Sequence, residues 1–451
     1  MNTELAFRLA LDRVQWAATI IFHYLFPQLT MGLALMIAIF ATRGYWWGDE
    51  GAKRTAQFWT RIFAVTFAFG VVTGIPMEFQ FGTNWAGFAE FAGGVIGQTL
   101  AMEGVFAFFL ESAFLGVMLA GEGRVGARLH WVATLLVFLG SWLSGYFILA
   151  TNAWMQHPVG YALAADHTVR LTSFFSLLGN PWLLWQYTHN QCAAATTGSF
   201  VVAGVGAYYL LAGKHPEQGR QFLRTALVVA ATANVLLLYP TGDGESRQVF
   251  GLQPIKGAAM EGLFYTTQPA PMTIVGQPNL DTLSIDNPLE IPGILSFLTY
   301  RRFGVAIRGL TSFPRDQWPD YVALVYYAYH IMVGLGTIYI AVTLLGVFLL
   351  WRGILFEARW MLWILMLATP FPYISTTAGW VTAEVGRQPW LVYGLLRTAD
   401  GLSPLVSSGN SLFTLLGFLG LYLLLGVAYI ALMLSLVGRG PESDADKPQQ
   451  A

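Results

Sequence analysis

The chain has 451 residues, of which 55% are hydrophobic, 15% aromatic and only 11% charged, with a formal net charge of −1. That composition excludes an ordinary soluble domain and reads as a polytopic membrane protein, and the near-zero charge excludes a nucleic-acid binder. The single cysteine, Cys192, rules out an internal disulfide and any cysteine-ligated iron–sulfur or cysteine-rich zinc site, so a bound metal has to be held by His, Met or carboxylate.

Apolar windows of at least ~18 residues mark spanning helices. Nine are predicted: Trp16–Thr42, Phe58–Phe81, Gln98–Ala120, Leu129–Thr151, Leu183–Ala212, Phe222–Tyr239, Tyr321–Trp351, Trp360–Trp380 and Leu412–Val437. The expected fold is an all-α membrane bundle of about nine helices with one long outer loop. It divides into six helices over 1–239, the loop over 240–320, three helices over 321–437 and a polar tail over 438–451. The first span is too long for a signal peptide and lacks a small-residue cleavage site nearby, so it is expected to stay. No Walker-type phosphate loop is present, which removes ATP hydrolysis. No internal repeat stands out, which weakens an inverted-repeat transporter.

Short loops rich in Lys and Arg stay on the cytoplasmic side. Arg43, Lys53, Arg54 and Arg61 follow the first span, Arg124 and Arg128 the third, Lys214, Arg220 and Arg224 the fifth, and Arg352 and Arg359 the seventh. The stretch 82–97 carries none. These alternating loops predict an outer N-terminus and a cytoplasmic tail.

In the first span, His23 stands four residues before Pro27, and a proline inside a helix frees a carbonyl close to functional positions. On its own the pair decides little, since a lone membrane His is more often hydrogen-bonded than ligating. The second span ends in Gly74–Trp85, read as an interfacial turn with an aromatic anchor. The third carries Glu103 and Glu111. Acids at bilayer depth cost roughly 2.5–3.5 kcal/mol each on insertion scales and need a partner, water or a metal. Eight residues apart on an α-helix, they lie about 80° from one another and share the bundle interior, which points to proton or metal chemistry.

Ser141, Ser144 and Thr151-Asn152-Ala153-Trp154-Met155-Gln156-His157-Pro158 read as helix-joining polar groups or as a water or proton path. His189 in the fifth span and Met332 in the seventh form a possible axial pair for low-spin haem iron. The glycines after Met332 would let a flat macrocycle approach the backbone. In the eighth segment Trp380 and Glu384 share a helical face, while Arg387 is placed to pair with Glu384 or with a propionate, or these are solvated boundary charges. In the outer loop, Lys256 and Glu261 offer a cation and an acid for the oxygens and proton of a quinol, or an ordinary surface pair.

Taken in order, Phe22–Pro27, Gly82–Trp85, Ala101–Ser112, Asn152–Pro158, the His189 segment, Gln253–Glu261, Met332–Gly336 and Gly386-Arg387-Gln388-Pro389-Trp390 resemble subunit I of the cytochrome bd-type quinol oxidases. That resemblance runs through nearly the whole chain. It implies an oxidase of the bacterial cytoplasmic membrane with three haems and no copper. His189 and Met332 would hold a low-spin haem b, and His23 and Glu103 the high-spin pair, a haem b and a haem d that some relatives replace with haem b. Glu384 would stand beside that pair as an acid or a further iron ligand. Glu111 would lie on the proton route, Trp380 between haems, and Lys256 and Glu261 at the quinol.

The resemblance further implies quinol oxidation at the outer face, reduction of O2 to water with cytoplasmic protons, a proton motive force, a second homologous membrane subunit and small single-helix subunits. Two departures stand out. His330 occupies a position where many relatives have Arg, and the quinol loop is of the short type. Two rivals remain at this level: a proton- or cation-coupled transporter using the same acids as relays, and a di-haem electron-transferring cytochrome b without an oxygen site.

Overall fold

A computed structural model describes residues 3–441. Among them, nine helices are long and apolar enough to cross a bilayer: Thr3–Trp47, Glu50–Thr83, Ala86–Ala120, Ala127–Gln156, Pro181–Ala212, Pro216–Leu252, Val322–Trp351, Arg359–Val385 and Ser408–Arg439. The tail expected over 438–451 lies outside the described residues from 442 onward.

The helices run past the apolar windows because their polar ends are paired inside the bundle. The first helix begins at Thr3, so Arg8, Asp12 and Gln15 are helical. Asp12 and Gln15 are fully buried. Asn84 Nδ2 donates to Asp12 Oδ1 at 2.7 Å, Gln80 Nε2 to Thr19 Oγ1 at 3.0 Å, and Thr414 Oγ1 to Gln15 Oε1 at 2.8 Å. This polar seam ties the first, second and ninth helices, since a buried polar group is tolerated when it has a partner. The expected turn over Gly74–Trp85 is helical through Thr83, with Pro76 inside it.

The first and fifth helices cross with backbone against backbone. A Cβ on Gly32 would fall 2.1 Å from the Ala194 carbonyl oxygen, and one on Gly198 would fall 2.5 Å from the Gly32 carbonyl carbon. Small residues permit such approaches in a bilayer. The fifth helix is defined at both ends by its sequence: Asn180 caps it by accepting from Trp182 N, Pro181 occupies the first turn, and Gly213 closes it at φ +67°.

Three spans are not single regular α-helices: the eighth is broken between Leu367 and Phe371, and two others pass through π turns. The third passes through a π segment at Val105–Glu111, and the sixth through another at Leu237–Gly242, where Tyr239 has non-helical torsions and Pro240 follows. The sixth span therefore does not end at Tyr239. It continues to Leu252, because the π turn absorbs the proline and restores the helix.

The loop that follows is built. It holds a short helix, Pro254–Met260, then an antiparallel hairpin pairing Met272–Asn279 with Ser284–Ile291, then the helix Ile294–Tyr300. Its first helix packs on the loop end of the bundle through Ile255, Ala258 and Ala259, in one buried cluster with Trp182, Val322 and Val325.

Candidate functional site

Three of the chain's seven histidines, His23, His189 and His330, are separated in chemistry by their surroundings. His23 Nδ1 lies 3.1 Å from Thr73 Oγ1, and Thr73 Oγ1 donates its one proton to the Phe69 carbonyl at 2.8 Å. The histidine must then be the donor to Thr73, so its Nε2 carries the free lone pair. His189 repeats the arrangement: Nδ1 lies 3.2 Å from Thr241 Oγ1, which donates to the Leu236 carbonyl at 2.8 Å. In each case a threonine on the neighbouring helix fixes tautomer and ring plane, as outer partners do for ligating histidines.

Glycine makes room for both rings. A Cβ on Gly74 would sit 2.9 Å from His23 Cε1, and one on Gly242 would sit 3.3 Å from His189 Cε1. His330 is different. Its Nδ1 faces the Tyr326 carbonyl at 2.8 Å and its Nε2 the Thr273 carbonyl at 2.9 Å, so it has no nitrogen left for a metal and instead stitches the seventh helix to the loop hairpin.

Met332 packs against the eighth helix, where a Cβ on Gly379 would fall 2.9 Å from its sulfur. On the same helix, a Cβ on Gly334 or Gly336 would meet nothing within 4 Å. His189 is thus set by the sixth helix and Met332 by the eighth. Trp380 borders the same buried cluster as Met332 and meets Tyr24, the neighbour of His23, edge to face at 6.3 Å.

The π segment lies between Glu103 and Glu111, so the spacing expected for a regular α-helix does not apply; wider turns rotate less per residue, and such bulges concentrate at functional sites. Glu111 is buried, its Cγ within 3.2 Å of where a Cβ on Gly140 would be, with Ser141 as its hydroxyl neighbour and Oε1 unpartnered by protein. Glu103 is half-buried, and Glu78 of the second helix is the acid within electrostatic reach of it. Glu78 lies in Gly74–Trp85, where Gly, Pro and Asn read as a turn, so no sequence signal marks it as an acid on a helix.

Arg387 is not a solvated boundary charge, and Glu384, partly exposed, is paired on both carboxylate oxygens. Arg387 is 2% exposed and donates to Glu384 Oε2 at 2.5 Å. Glu384 Oε1 accepts from Asn152 Nδ2 at 2.8 Å and from Gln156 Nε2 at 3.2 Å. On the other side of Gln156, its Oε1 accepts from Lys256 Nζ at 2.7 Å. The fourth helix therefore joins the loop lysine to the eighth-helix acid, and the signal for this was Asn152 and Gln156 at helical spacing in an apolar run.

Lys256 is 2% exposed, with its ammonium over the Trp182 ring at 5.2 Å. Burial draws it down to about 7, the Arg387 cation adding to the effect and Glu384 opposing it. Glu261 is 4% exposed with Oε2 unpartnered, and burial pushes it up to about 7 while a hydrogen bond with Tyr329 pulls the other way. The two are held by different helices, Lys256 by the fourth and Glu261 by the seventh. An acid and an amine that both change protonation near neutrality suit a two-proton substrate.

No cluster of three or more His, Cys, Asp or Glu side chains able to hold a bare metal ion occurs among the described residues. Haem iron asks less of the protein, because the macrocycle supplies four ligands and the chain one or two axial ones. Two histidines with a free Nε2, a methionine beside open glycines, and a buried arginine whose Nε and Nη1 meet no acceptor fit that demand.

The family model for cytochrome bd terminal oxidase subunit I matches residues 11–441. The chain is 34% identical over 445 residues to cytochrome bd ubiquinol oxidase subunit 1 of Bacillus subtilis strain 168, covering 97% of this chain and 95% of that one. It is 32% identical to cytochrome bd-II ubiquinol oxidase subunit 1 of Escherichia coli K12, with 98% of each covered. Among solved structures it resembles the bd oxidase from Geobacillus thermodenitrificans at a TM-score of 0.89 and 30% identity, over 96% of this chain and 99% of that one.

Proposed function

Because the chain belongs to the cytochrome bd terminal oxidase subunit I family, a family of haem-bearing quinol oxidases of bacterial membranes, we propose a role for each residue of the site. The enzyme oxidises membrane quinol at the outer face, takes the protons for O2 reduction from the cytoplasm and so separates charge across the bilayer. The outer N-terminus and inner tail follow from the distribution of Lys and Arg. When bound, the haems carry single electrons and take up dioxygen.

His189 and Met332 hold a low-spin haem b. His23 and Glu103 hold the high-spin pair, a haem b with either haem d or a further haem b, and Glu384 flanks it. Arg387 has two buried nitrogens, Nε and Nη1, free of a protein acceptor and open to a propionate. Trp380 fills the space between the His23 helix and the Met332 cluster. Lys256 donates a hydrogen bond to one quinol oxygen and Glu261 accepts the proton of the other, within the loop that follows the sixth helix. Glu111 passes protons inward from the cytoplasmic side. A second homologous membrane subunit, with small single-helix subunits, completes the enzyme; Val105 and Phe109 leave the third helix exposed to such a neighbour.

The observation that carries this reading is the matched setting of His23 and His189, each with its proton committed to a threonine and its Nε2 free. A coupled transporter has no use for two histidines prepared in that way. A reduced-minus-oxidised spectrum of the purified oxidase tests it. Low-spin bands that vanish in Met332→Leu, together with a carbon-monoxide-reactive high-spin species that persists, are expected. Absence of haem bands in the parent overturns the oxidase reading, low-spin bands alone favour an electron-transferring cytochrome b, and an unchanged Met332→Leu spectrum removes Met332 as a ligand.

A further inference from the structure

The reading above gives Lys256 to the quinol and Glu384 to the high-spin centre, and leaves the side chain between them without a task. Gln156 is the last residue of the fourth helix and is 1% exposed. Its Oε1 accepts from Lys256 Nζ at 2.7 Å and from Gln253 Nε2 at 3.1 Å, while Gln253 Nε2 also reaches the Gln156 backbone carbonyl at 2.6 Å. Its Nε2 donates to Glu384 Oε1 at 3.2 Å and to the Ala383 carbonyl at 3.3 Å.

Only one orientation of this amide works. Turned over, it would set an NH2 against the lysine and an oxygen against the carboxylate. Each end thus reports the polarity of the group at the other, because hydrogen bonds in series polarise one another in a dry interior. The surroundings hold the link taut. Gly386 admits the lysine stem, since a Cβ there would fall 2.9 Å from Lys256 Cγ, and Asn152, which shares Glu384 Oε1, is itself fixed by Gln186 at 2.7 Å.

We propose that Gln156 is a positioning residue that couples the two sites: when Lys256 turns its ammonium onto a bound quinol oxygen, Gln156 Oε1 loses its strongest donor and the hydrogen bond it gives to Glu384 weakens. Occupancy of the quinol pocket is thereby registered at the acid beside the oxygen-reducing centre. The inference rests on the quinol and high-spin assignments above.

The geometry sets what substitutes for glutamine. Met has a similar length and neither donor nor acceptor of use here, so it breaks both ends. Glu keeps the acceptor for Lys256 and cannot donate to Glu384, so it breaks one.

The test uses the assembled oxidase and three readouts: haem content by extraction, KM and kcat with short-chain ubiquinol and menaquinol, and the change in the high-spin haem spectrum on adding saturating short-chain quinone. In the parent, quinone is expected to shift the high-spin bands. In Gln156→Met the shift disappears, haem content stays, and KM does not rise, because the hydrogen bond removed is one that Lys256 gives up on binding quinol. In Gln156→Glu the shift disappears and KM rises about tenfold, because the carboxylate holds Lys256 in a charge-assisted pair that quinol has to break. Should Gln156→Met fail to assemble, Gln156→Glu alone separates the two ends of the link.

A parent that carries haem and turns over quinol without any quinone-induced shift overturns the proposal, as does a normal shift in either variant. A parent without haem or without quinol turnover instead overturns the underlying assignment, and the two failures are told apart by the haem extraction.

Discussion

Arg387 donates to Glu384 at 2.5 Å through Nη2, while the Nε and Nη1 of the same guanidinium, almost wholly buried, find no acceptor in the protein. A buried cation with half its donors idle is expensive unless a further anion completes it. One carboxylate satisfies one edge of the fork, and a propionate would satisfy the rest. Arg387→Leu is therefore expected to lower high-spin haem occupancy below stoichiometry, with Glu384 still held by Asn152 and Gln156. Arg387→Lys, with the charge kept and the fork lost, should retain more haem than Leu does. Full haem content in Arg387→Leu, measured by extraction, would remove Arg387 from the cofactor site.

Glu261 and Lys256 set opposite limbs of the pH dependence. Burial raises the Glu261 carboxyl to about 7, so below that pH it is already protonated and too weak a base to take a quinol proton, while Lys256, drawn down to about 7, loses its ammonium above it. The parent kcat/KM for quinol should rise toward about pH 7 as Glu261 ionises and fall beyond it as Lys256 is neutralised. Glu261→Gln should be slower by roughly 10²-fold at pH 8 and lack that rise, with haem bands unchanged. A variant that keeps the parental profile would assign the rise to another group.

Much of this arrangement was legible in the residues, and the rest was not for identifiable reasons. Nine apolar windows gave nine spans because the bilayer leaves the backbone few alternatives to a helix. The ends were short by several residues at Thr3 and Leu252, since hydropathy scores Asp12 and Gln15 as polar and cannot see that Asn84 and Thr414 satisfy them. Pro240 looked like a terminus, and only the torsions reveal a π turn that carries the helix onward. His23 and His189 could be named as candidates from sequence. What marks them off from His330 is a threonine on another helix, and contacts between helices have no trace in one-dimensional spacing. Gln156 was visible only as one polar residue in a helical run, because its meaning depends on Lys256 and Glu384, far along the chain.

The crossing of the first and fifth helices yields a stability prediction independent of any cofactor. A methyl group on Gly198 would press on the backbone of Gly32, and backbone cannot rotate aside as a side chain does. Gly198→Ala is expected to cost about 1–3 kcal/mol, and more if the helices have to separate. The assembled protein recovered from membranes should fall accordingly. Gly417→Ala on the ninth helix, which meets nothing within 4 Å, is the control for helix propensity and should be recovered at parental level. Equal recovery of both variants would show that the crossing tolerates displacement.

Glu103 and Glu111 offer the sharpest division of labour, because they stand on one span and differ in what surrounds them. Glu111 closes the π segment, packs on Gly140, has Ser141 as its hydroxyl neighbour and keeps Oε1 free of protein partners. Those are the needs of a group that takes up and gives away a proton. Glu103 sits before the π segment, next to Gly104, where a Cβ would meet nothing within 4 Å. Glu111→Gln keeps the shape and removes the exchangeable proton, so it should lower kcat by roughly 10²-fold or more while haem content and reduced-minus-oxidised bands stay parental. Glu103→Gln should instead change the high-spin spectrum or lose that haem before turnover is considered, since an amide is a poor iron ligand. The two variants together decide the matter: haem loss in Glu111→Gln with a normal spectrum in Glu103→Gln would exchange the roles, and parental turnover in Glu111→Gln would take that residue off the proton route.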